Sequence, residues 1–389
     1  MRAPMRGRSA LAVLAAAALT ATACGTSDSN KSDASSDGAG STYTIGVLNS
    51  TTGELGAVGQ QEAKGMDLAV EEINAAGGVN GHQLKLETVD DQGSVNLATA
   101  GFKKLATSSK VPIVIGPGIS ATAKAVAPLA DQYDVTQILL VAQPEVANGT
   151  KNVFEVPLPG KANAEAVVKY ASSKGIKNAS IIWANNPYGQ AGNSDITAAA
   201  KSAGISIVNS EGFDPAKFDF TAQAGKVASA NPEAVFLWGA GGAADALVLK
   251  AVRASGYKGK VIGDLTYSTS TIPEAAGEAA DSVVSLTAVN YGAPEGETKK
   301  LIDAYKARYN NETPTVLSVY AYVAVKLAAA GIEKAGKFEG PAISAAIQSL
   351  NFESVVGKME YTDTYRGGPN ADAFKPVSFK NGEFAPPAE

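Results

Sequence analysis

The sequence predicts an α/β protein of two lobes, each a parallel β-sheet covered by helices. Short apolar runs alternate with windows of helical periodicity from Tyr43 onward, which is the pattern of repeated strand-helix units. Two breaks, Val156-Pro157-Leu158-Pro159-Gly160 and Asn290-Tyr291-Gly292-Ala293-Pro294, interrupt that alternation where a chain would pass between lobes. The chain has 389 residues, 45% of them hydrophobic, enough for two ordinary cores.

The first residues are of a different kind. Arg2, Arg6 and Arg8 precede an alanine-leucine stretch, and the run Ala21-Thr22-Ala23-Cys24 follows it. This reads as a bacterial lipoprotein signal over 1–23, with Cys24, the only cysteine, as the residue to be acylated. The apolar stretch is shorter than the ~20 residues a bilayer span needs. Position −3 is Ala21, where the lipoprotein motif usually has leucine, so ordinary signal-peptidase cleavage stays open. On either path the mature protein is expected outside the cytoplasm, and on the first it is lipid-anchored at the outer face of the cytoplasmic membrane or in the periplasm. Residues 24–42 are small and polar and read as a flexible tether.

The first strand starts at Tyr43, and Met66, Ala69, Val70 and Ile73 mark the apolar face of the first helix. Further strands are expected at 84–89, 113–115, 138–141, 180–184, 205–208, 234–238, 261–263 and 283–286, most separated by alanine-rich helical windows. The apolar stretch 316–332 contains Tyr320, Tyr322 and Lys326 and fits a buried helix better than a lipid-facing one. In open α/β sheets a ligand sits beyond the carboxyl ends of the strands, so the loops that follow the apolar runs are the ones to inspect.

Charge and composition exclude several classes. Lys and Arg number 33 and Asp and Glu 38; removal of the three leader arginines leaves 30 minus 38, or −8, which gives no electrostatic case for nucleic acid. His82 is the only histidine and reads as an exposed turn residue, so a Ser-His-Asp triad would depend wholly on it. One histidine and one cysteine cannot build a nitrogen-sulfur zinc site, and no cofactor is expected. Asp90-Asp91 reads as a solvated loop end rather than a catalytic carboxylate pair.

Several stretches carry a resemblance: Thr52-Gly53-Glu54-Leu55-Gly56-Ala57-Val58-Gly59, the segment Glu71-Glu72-Ile73-Asn74-Ala75-Ala76-Gly77-Gly78 with its flanks, Asp90-Asp91, Ile115-Gly116-Pro117, Asn186-Pro187-Tyr188-Gly189 and Ala275-Ala276-Gly277-Glu278-Ala279-Ala280-Asp281. Together, over roughly 43 to 385, they resemble the solute-binding proteins of branched-chain amino-acid-type ABC importers. The resemblance implies a type I periplasmic-binding-protein fold, two Rossmann-like lobes joined by three crossovers, the third near 360–365, closing on a ligand by hinge motion. It divides the chain into 43–157 with 290–360 as one lobe and 158–289 with 361–385 as the other. It also implies a small-molecule solute, an ABC permease with its ATPases as partners, and no catalysis. A free-standing sensor or adaptor of the same fold is the alternative.

The family's ligand contacts, carried over by position, fall in five loops. Gly118, Ile119, Ser120, Ala121 and Thr122 follow one strand, and Ala142 and Gln143 follow the next; these are the carboxylate-holding positions. A hydroxyl and N–H groups at a helix start suit an anion. In the second lobe the positions are Tyr188, then Trp238 with Ala240 and Gly241, then Asp264. This sequence departs from the amino-acid binders of the family, which place a threonine at Ala142, a tyrosine at Ala240 or Gly241, and an acidic residue at Asp264 or Leu265. An ammonium buried without acceptors is costly, so a carboxylate with an apolar or aromatic body competes with an aliphatic amino acid as the expected ligand. Val58 and the bare loop after Trp238 enlarge the pocket. Gly239-Ala240-Gly241-Gly242-Ala243-Ala244, with Asp264 twenty residues on, also matches a dinucleotide fingerprint. In an exported protein its glycines are read instead as letting backbone approach a small anion. Trp183 and Trp238 are both expected at strand ends facing the cleft.

Overall fold

The computed structural model describes residues 42–53, 55–157, 159–369 and 373–388. The expected leader 1–23, Cys24 and the tether up to 41 lie outside the described residues.

The first sheet is all parallel, in the order β2-β1-β3-β4-β5, with β1 (Thr42–Asn49), β2 (Gln83–Asp90), β3 (Ile113–Ile115), β4 (Thr136–Leu139) and β5 (Val153–Glu155). Its first four strands are followed in turn by α1 (Gly56–Ala75), α2 (Val95–Thr107), α3 (Ser120–Gln132) and α4 (Pro144–Ala147). The strands β3, β4 and β5 are buried along their whole length, as a parallel sheet covered on both faces requires.

The second lobe repeats the plan. After α5 (Gly160–Ser173) come β6 (Asn178–Ala184), β7 (Ser206–Phe213), β8 (Ala234–Trp238), β9 (Lys260–Gly263) and β10 (Val283–Thr287), parallel and ordered β7-β6-β8-β9-β10. This is the same permutation as in the first sheet. The connecting helices are α6 (Pro187–Ser202), α7 (Thr221–Ser229), α8 (Ala243–Ala254) and α9 (Thr271–Ala276).

The chain then returns to the first lobe with α10 (Gly296–Arg308), α11 (Val316–Ala335) and α12 (Gly340–Gln348), followed by a hairpin of β11 (Asn351–Ser354) and β12 (Gly357–Glu360). It ends on the second sheet, where β13 (Lys375–Lys380) pairs antiparallel with β10, and β14 (Glu383–Ala385) pairs with β13. By length and composition α11 could cross a membrane, but two-thirds of its apolar window is buried in the protein. It lies so close to α1 that a Cβ on Gly65 would fall 1.9 Å from the Ser318 carbonyl oxygen. This is the expected buried helix over 316–332.

Three crossovers join the lobes: after β5, after β10, and between β12 and β13. The first and third are tied together. Tyr361 donates its hydroxyl to the Glu155 carbonyl at 2.9 Å, and the Glu155 N–H donates to the Arg366 carbonyl at 2.9 Å. Gly368 passes so near the Val156 and Pro157 carbonyls that any side chain would strike them.

Two expectations from the sequence are corrected. His82 is buried, 5% exposed, and its ring stacks on Tyr43 with centroids 4.1 Å apart, because the turn folds it back against the first strand. Asp91 is fully buried rather than solvated: it accepts from the Ser50 hydroxyl and from the Gly93 N–H at 2.9 Å. Asp90 instead accepts from Thr51, Thr52 and Gln92 and pins the loop that follows β1.

Candidate functional site

A cavity of about 450 Å³ opens between the lobes at the carboxyl ends of the parallel strands. Each of the first nine strands contributes a residue from the segment that follows it, and Leu317 and Tyr320 on α11 close the floor.

Of the residues expected at the site, Gly118, Ile119, Ser120, Ala121, Ala142, Tyr188, Ala240 and Gly241 line this cavity. Thr122, Gln143, Trp238 and Asp264 lie behind its wall, all buried. Thr122 turns its hydroxyl back to the Ile119 carbonyl at 2.9 Å, and Gln143 and Trp238 border a small chamber behind Tyr188.

The first-lobe side is built on the start of α3. Ile119 is the cap residue, and its side chain accepts no bond from the helix, so the first turn of amides points toward the cavity with Ser120 beside it. Gly118 is required there by packing: a Cβ would approach the Glu62 carboxyl to 2.0 Å. Burial raises the Glu62 carboxyl to about 8, with the nearby Asp91 pushing it the same way, so at neutral pH it stands protonated beneath the loop.

The second-lobe side is organised by two buried carboxylates. Asp245, in the first turn of α8, accepts from the Ala240 N–H at 2.9 and 3.0 Å and from the Gly241 N–H at 2.9 Å. Burial raises it to about 7, opposed by these bonds. The glycine loop is therefore not an anion cradle, which corrects the sequence reading. Its amides are consumed by the chain's own carboxylate, and that negative charge occupies the place a dinucleotide's pyrophosphate would need.

Asp264 directly follows β9 and is also engaged by the chain's own donors. Its Oδ1 accepts from Thr266 Oγ1 at 2.6 Å and from the Gly239 N–H at 3.3 Å, and its Oδ2 accepts from Tyr188 Oη at 2.7 Å. Burial raises it to about 6 against those hydrogen bonds. With its proton directed at Asp264, the Tyr188 oxygen turns lone-pair density to the cavity. The Tyr188 ring lies 5.6 Å from Trp238, which supports it from behind. Trp183 faces elsewhere: it is half-buried, outside the cavity wall, and donates Nε1 to Ser210 at 3.1 Å.

Other lining residues were not singled out from the sequence. Asp214 and Pro215 follow β7 and were discoverable by the strand-end rule, whereas Leu317 and Tyr320 reach the cavity only through the packing of α11. Among the described lining residues Asp214 is the one carboxylate, and it lies exposed at the mouth, its Oδ1 accepting from the Ala216 N–H.

A family model described as periplasmic binding protein matches residues 42–375. The leucine-, isoleucine-, valine-, threonine- and alanine-binding protein of Pseudomonas aeruginosa is 27% identical over 338 residues, covering 84% of this chain and 87% of the relative. The Leu/Ile/Val-binding protein homolog 3 of Brucella melitensis is 28% identical over 341 residues, covering 85% and 90%. Among solved structures, the branched-chain amino acid transporter substrate-binding protein LivJ of Streptococcus pneumoniae, in complex with isoleucine, superposes with a TM-score of 0.79 at 24% identity, covering 88% of this chain and 97% of that one. An extracellular ligand-binding receptor of Rhodopseudomonas palustris has the same TM-score at 22% identity, covering 89% and 99%. At those identities the two structures speak for the fold.

Proposed function

The chain belongs to the periplasmic binding protein family, and from that premise we propose that it is the extracytoplasmic solute-binding lipoprotein of a branched-chain amino-acid-type ABC importer. In this reading it has no catalytic role. Acylated Cys24 anchors it, residues 24–42 tether it, and the two lobes close on a small carboxylate and deliver it to a permease driven by its ATPases. The observation that carries the ligand class is the uncapped start of α3 opening into the inter-lobe cavity beside Ser120, a site for a carboxylate without a buried cation.

The body of the ligand is apolar. Leu55, Val58, Ile119, Leu140, Leu265 and Leu317 supply apolar wall, interrupted by the polar Gln92, Asn185, Asn186 and Thr266. Two of the relatives are named for binding leucine, isoleucine and valine, but here Asp264 lies behind the cavity wall, engaged by three donors of the chain itself, and Asp214 is at the solvent edge. That favours an organic or aromatic acid over an amino acid, whose ammonium would have the Tyr188 oxygen as an acceptor but no carboxylate inside the cavity. Calorimetry of the mature protein with leucine, phenylalanine, benzoate and a hydroxycinnamate tests this. Heat from the acids supports it; tight leucine binding that Asp264→Asn abolishes, with no heat from the acids, restores the amino-acid ligand. For the anchor, Cys24→Ser should release the protein from membranes in fractionation, and a variant that stays bound after a salt wash removes the lipid from the account.

A further inference from the structure

A second, smaller chamber of about 50 Å³ lies behind Tyr188 and shares that residue and Ala142 with the inter-lobe cavity. Its inner end is formed by Gln143 and Trp238, which are 2% and 0% exposed. The Gln143 Oε1 and Nε2 and the Trp238 Nε1 are buried with no hydrogen-bond partner among the described residues. Native proteins seldom leave such groups unpaired, because each has lost its water. Three of them bordering one chamber that opens on the ligand cavity mark a place that is filled when the protein works.

Resting on the carboxylate-binding reading of the cleft, we propose that this chamber is a ligand subsite for a neutral hydrogen-bonding end group, a hydroxyl or a carboxamide, on the far side of the molecule from its carboxylate. The donor and acceptor inventory selects the chemistry. Two amide hydrogens and one indole hydrogen face a single amide oxygen, so the occupant must accept more than it donates while still donating once. A second carboxylate cannot donate to the Gln143 oxygen and is repelled by Glu145 and Asp195 at the outer rim; a cation is drawn to that rim, where Lys161 offsets one of the two charges, but at the inner end it meets three donor hydrogens and one acceptor. A hydroxyl or carboxamide does both, and the volume admits either with room for a water.

Small residues keep the passage and the chamber in shape. Ala142 leaves the opening between the two spaces unobstructed, at the position where the resembling family carries a threonine. Gly192 lets the indole lie flat against α6, since a Cβ there would come within 2.2 Å of Trp238 Nε1. A ligand running from the start of α3 past Ala142 reaches Gln143 by crossing only from the loop after β3 to the loop after its neighbour β4.

Matched pairs test the subsite in the mature protein by calorimetry: phenylalanine with tyrosine, benzoate with 4-hydroxybenzoate, and cinnamate with 4-hydroxycinnamate. In at least one pair the hydroxylated member should bind ten-fold tighter or better, and Gln143→Leu and Trp238→Phe should each cut that ratio below three-fold. Ala142→Leu, which narrows the passage without touching either polar group, should do the same, and thermal melts establish that the variants are folded. If acids bind but no hydroxylated member gains in any pair, or if the gain survives all three substitutions, the subsite is overturned and the chamber holds only solvent. If none of the six acids binds, the carboxylate reading of the cleft falls, and the subsite with it.

Discussion

Tyr188 donates its phenolic proton to Asp264 Oδ2 over 2.7 Å, and that bond sets the polarity the second lobe presents to the cavity. Asp264 is held by Thr266 and Gly239 on its other oxygen, so it cannot rotate to meet a ligand itself. It acts by orienting the tyrosine. In Asp264→Asn the single carbonyl oxygen is needed by Thr266 and Gly239, leaving the amide N–H₂ toward Tyr188, which must then turn its own proton into the cavity. A ligand that donates to this oxygen, as the ammonium of leucine would, should bind about ten-fold more weakly in the variant, by the worth of a charged hydrogen bond. An acid with only acceptors there should bind no worse. Calorimetry with leucine and with benzoate reads both; an equal loss for the two would mean that the substitution disturbs the whole loop rather than one proton.

Stability should depend on pH through Glu62. Its folded carboxyl is raised to about 8 by burial and by Asp91, against 4.5 for the ordinary group. Between those values the folded protein retains a proton that the unfolded chain gives up, so this group's contribution is full below about pH 4.5 and is lost as pH rises toward 8. Glu62→Gln keeps its hydrogens and stays uncharged at all pH values, so it removes the titration while keeping the shape of the side chain. At pH 9 it should therefore be more stable than the wild type by roughly 2–4 kcal/mol, with little difference at pH 4, because each tenfold difference in proton affinity is worth about 1.4 kcal/mol. Asp245 and Asp264 share the same sign and remain in both proteins, so the difference between the two urea-unfolding series isolates Glu62. Parallel series across that range would show that Glu62 is not the group that titrates.

The strand-helix rhythm, both sheets and the segments that follow their strands could be read from the sequence because local periodicity carries them. All eight strands expected after the first fall on an observed strand, with β7 running to Phe213 past its expected end at Val208, although Val153–Glu155 was too short to register beside its prolines. What could not be read was which polar side chain answers which backbone group. Nothing in the sequence singles out Asp245, and only its reach back over four residues to the Gly241 N–H shows why the glycine loop needs no anion. Asp91 and His82 looked solvated because turn composition is a local signal, whereas their burial depends on Ser50 and Tyr43, some forty residues earlier in the chain. Tyr320 reaches the cavity from a helix that the sequence marked only as core.

Removing Asp245 should therefore loosen the ligand loop. Asp245→Ala leaves the Ala240 and Gly241 amides without their acceptor, and each buried unpaired group costs about 1–3 kcal/mol. The expected loss in urea unfolding at pH 7 is about 2–4 kcal/mol, less than two full penalties because the loop borders the cavity and water can enter it. Affinity for any ligand lying against Ala240 should fall as well. An unchanged midpoint would mean that the loop finds other partners once the carboxylate is gone.

Closure on a ligand should be reported by Trp238 and not by Trp183. Trp238 is fully buried at the end of β8 with Tyr188 against it, so a ligand that presses on Tyr188 or enters the chamber changes the surroundings of this indole directly. Trp183 donates to Ser210, which in turn is bonded to Asn193 at 3.0 Å, and this chain lies along β7 and α6 away from the cavity. The lobe moves as a unit in a hinge closure, which leaves such contacts within it unaltered. In Trp183→Phe the fluorescence change on adding a ligand should persist at near its wild-type size, and in Trp238→Phe it should vanish while calorimetry or solution scattering still registers any remaining binding. A signal that follows Trp183 instead would place the moving surface on the outer face of the second lobe and count against closure around Tyr188.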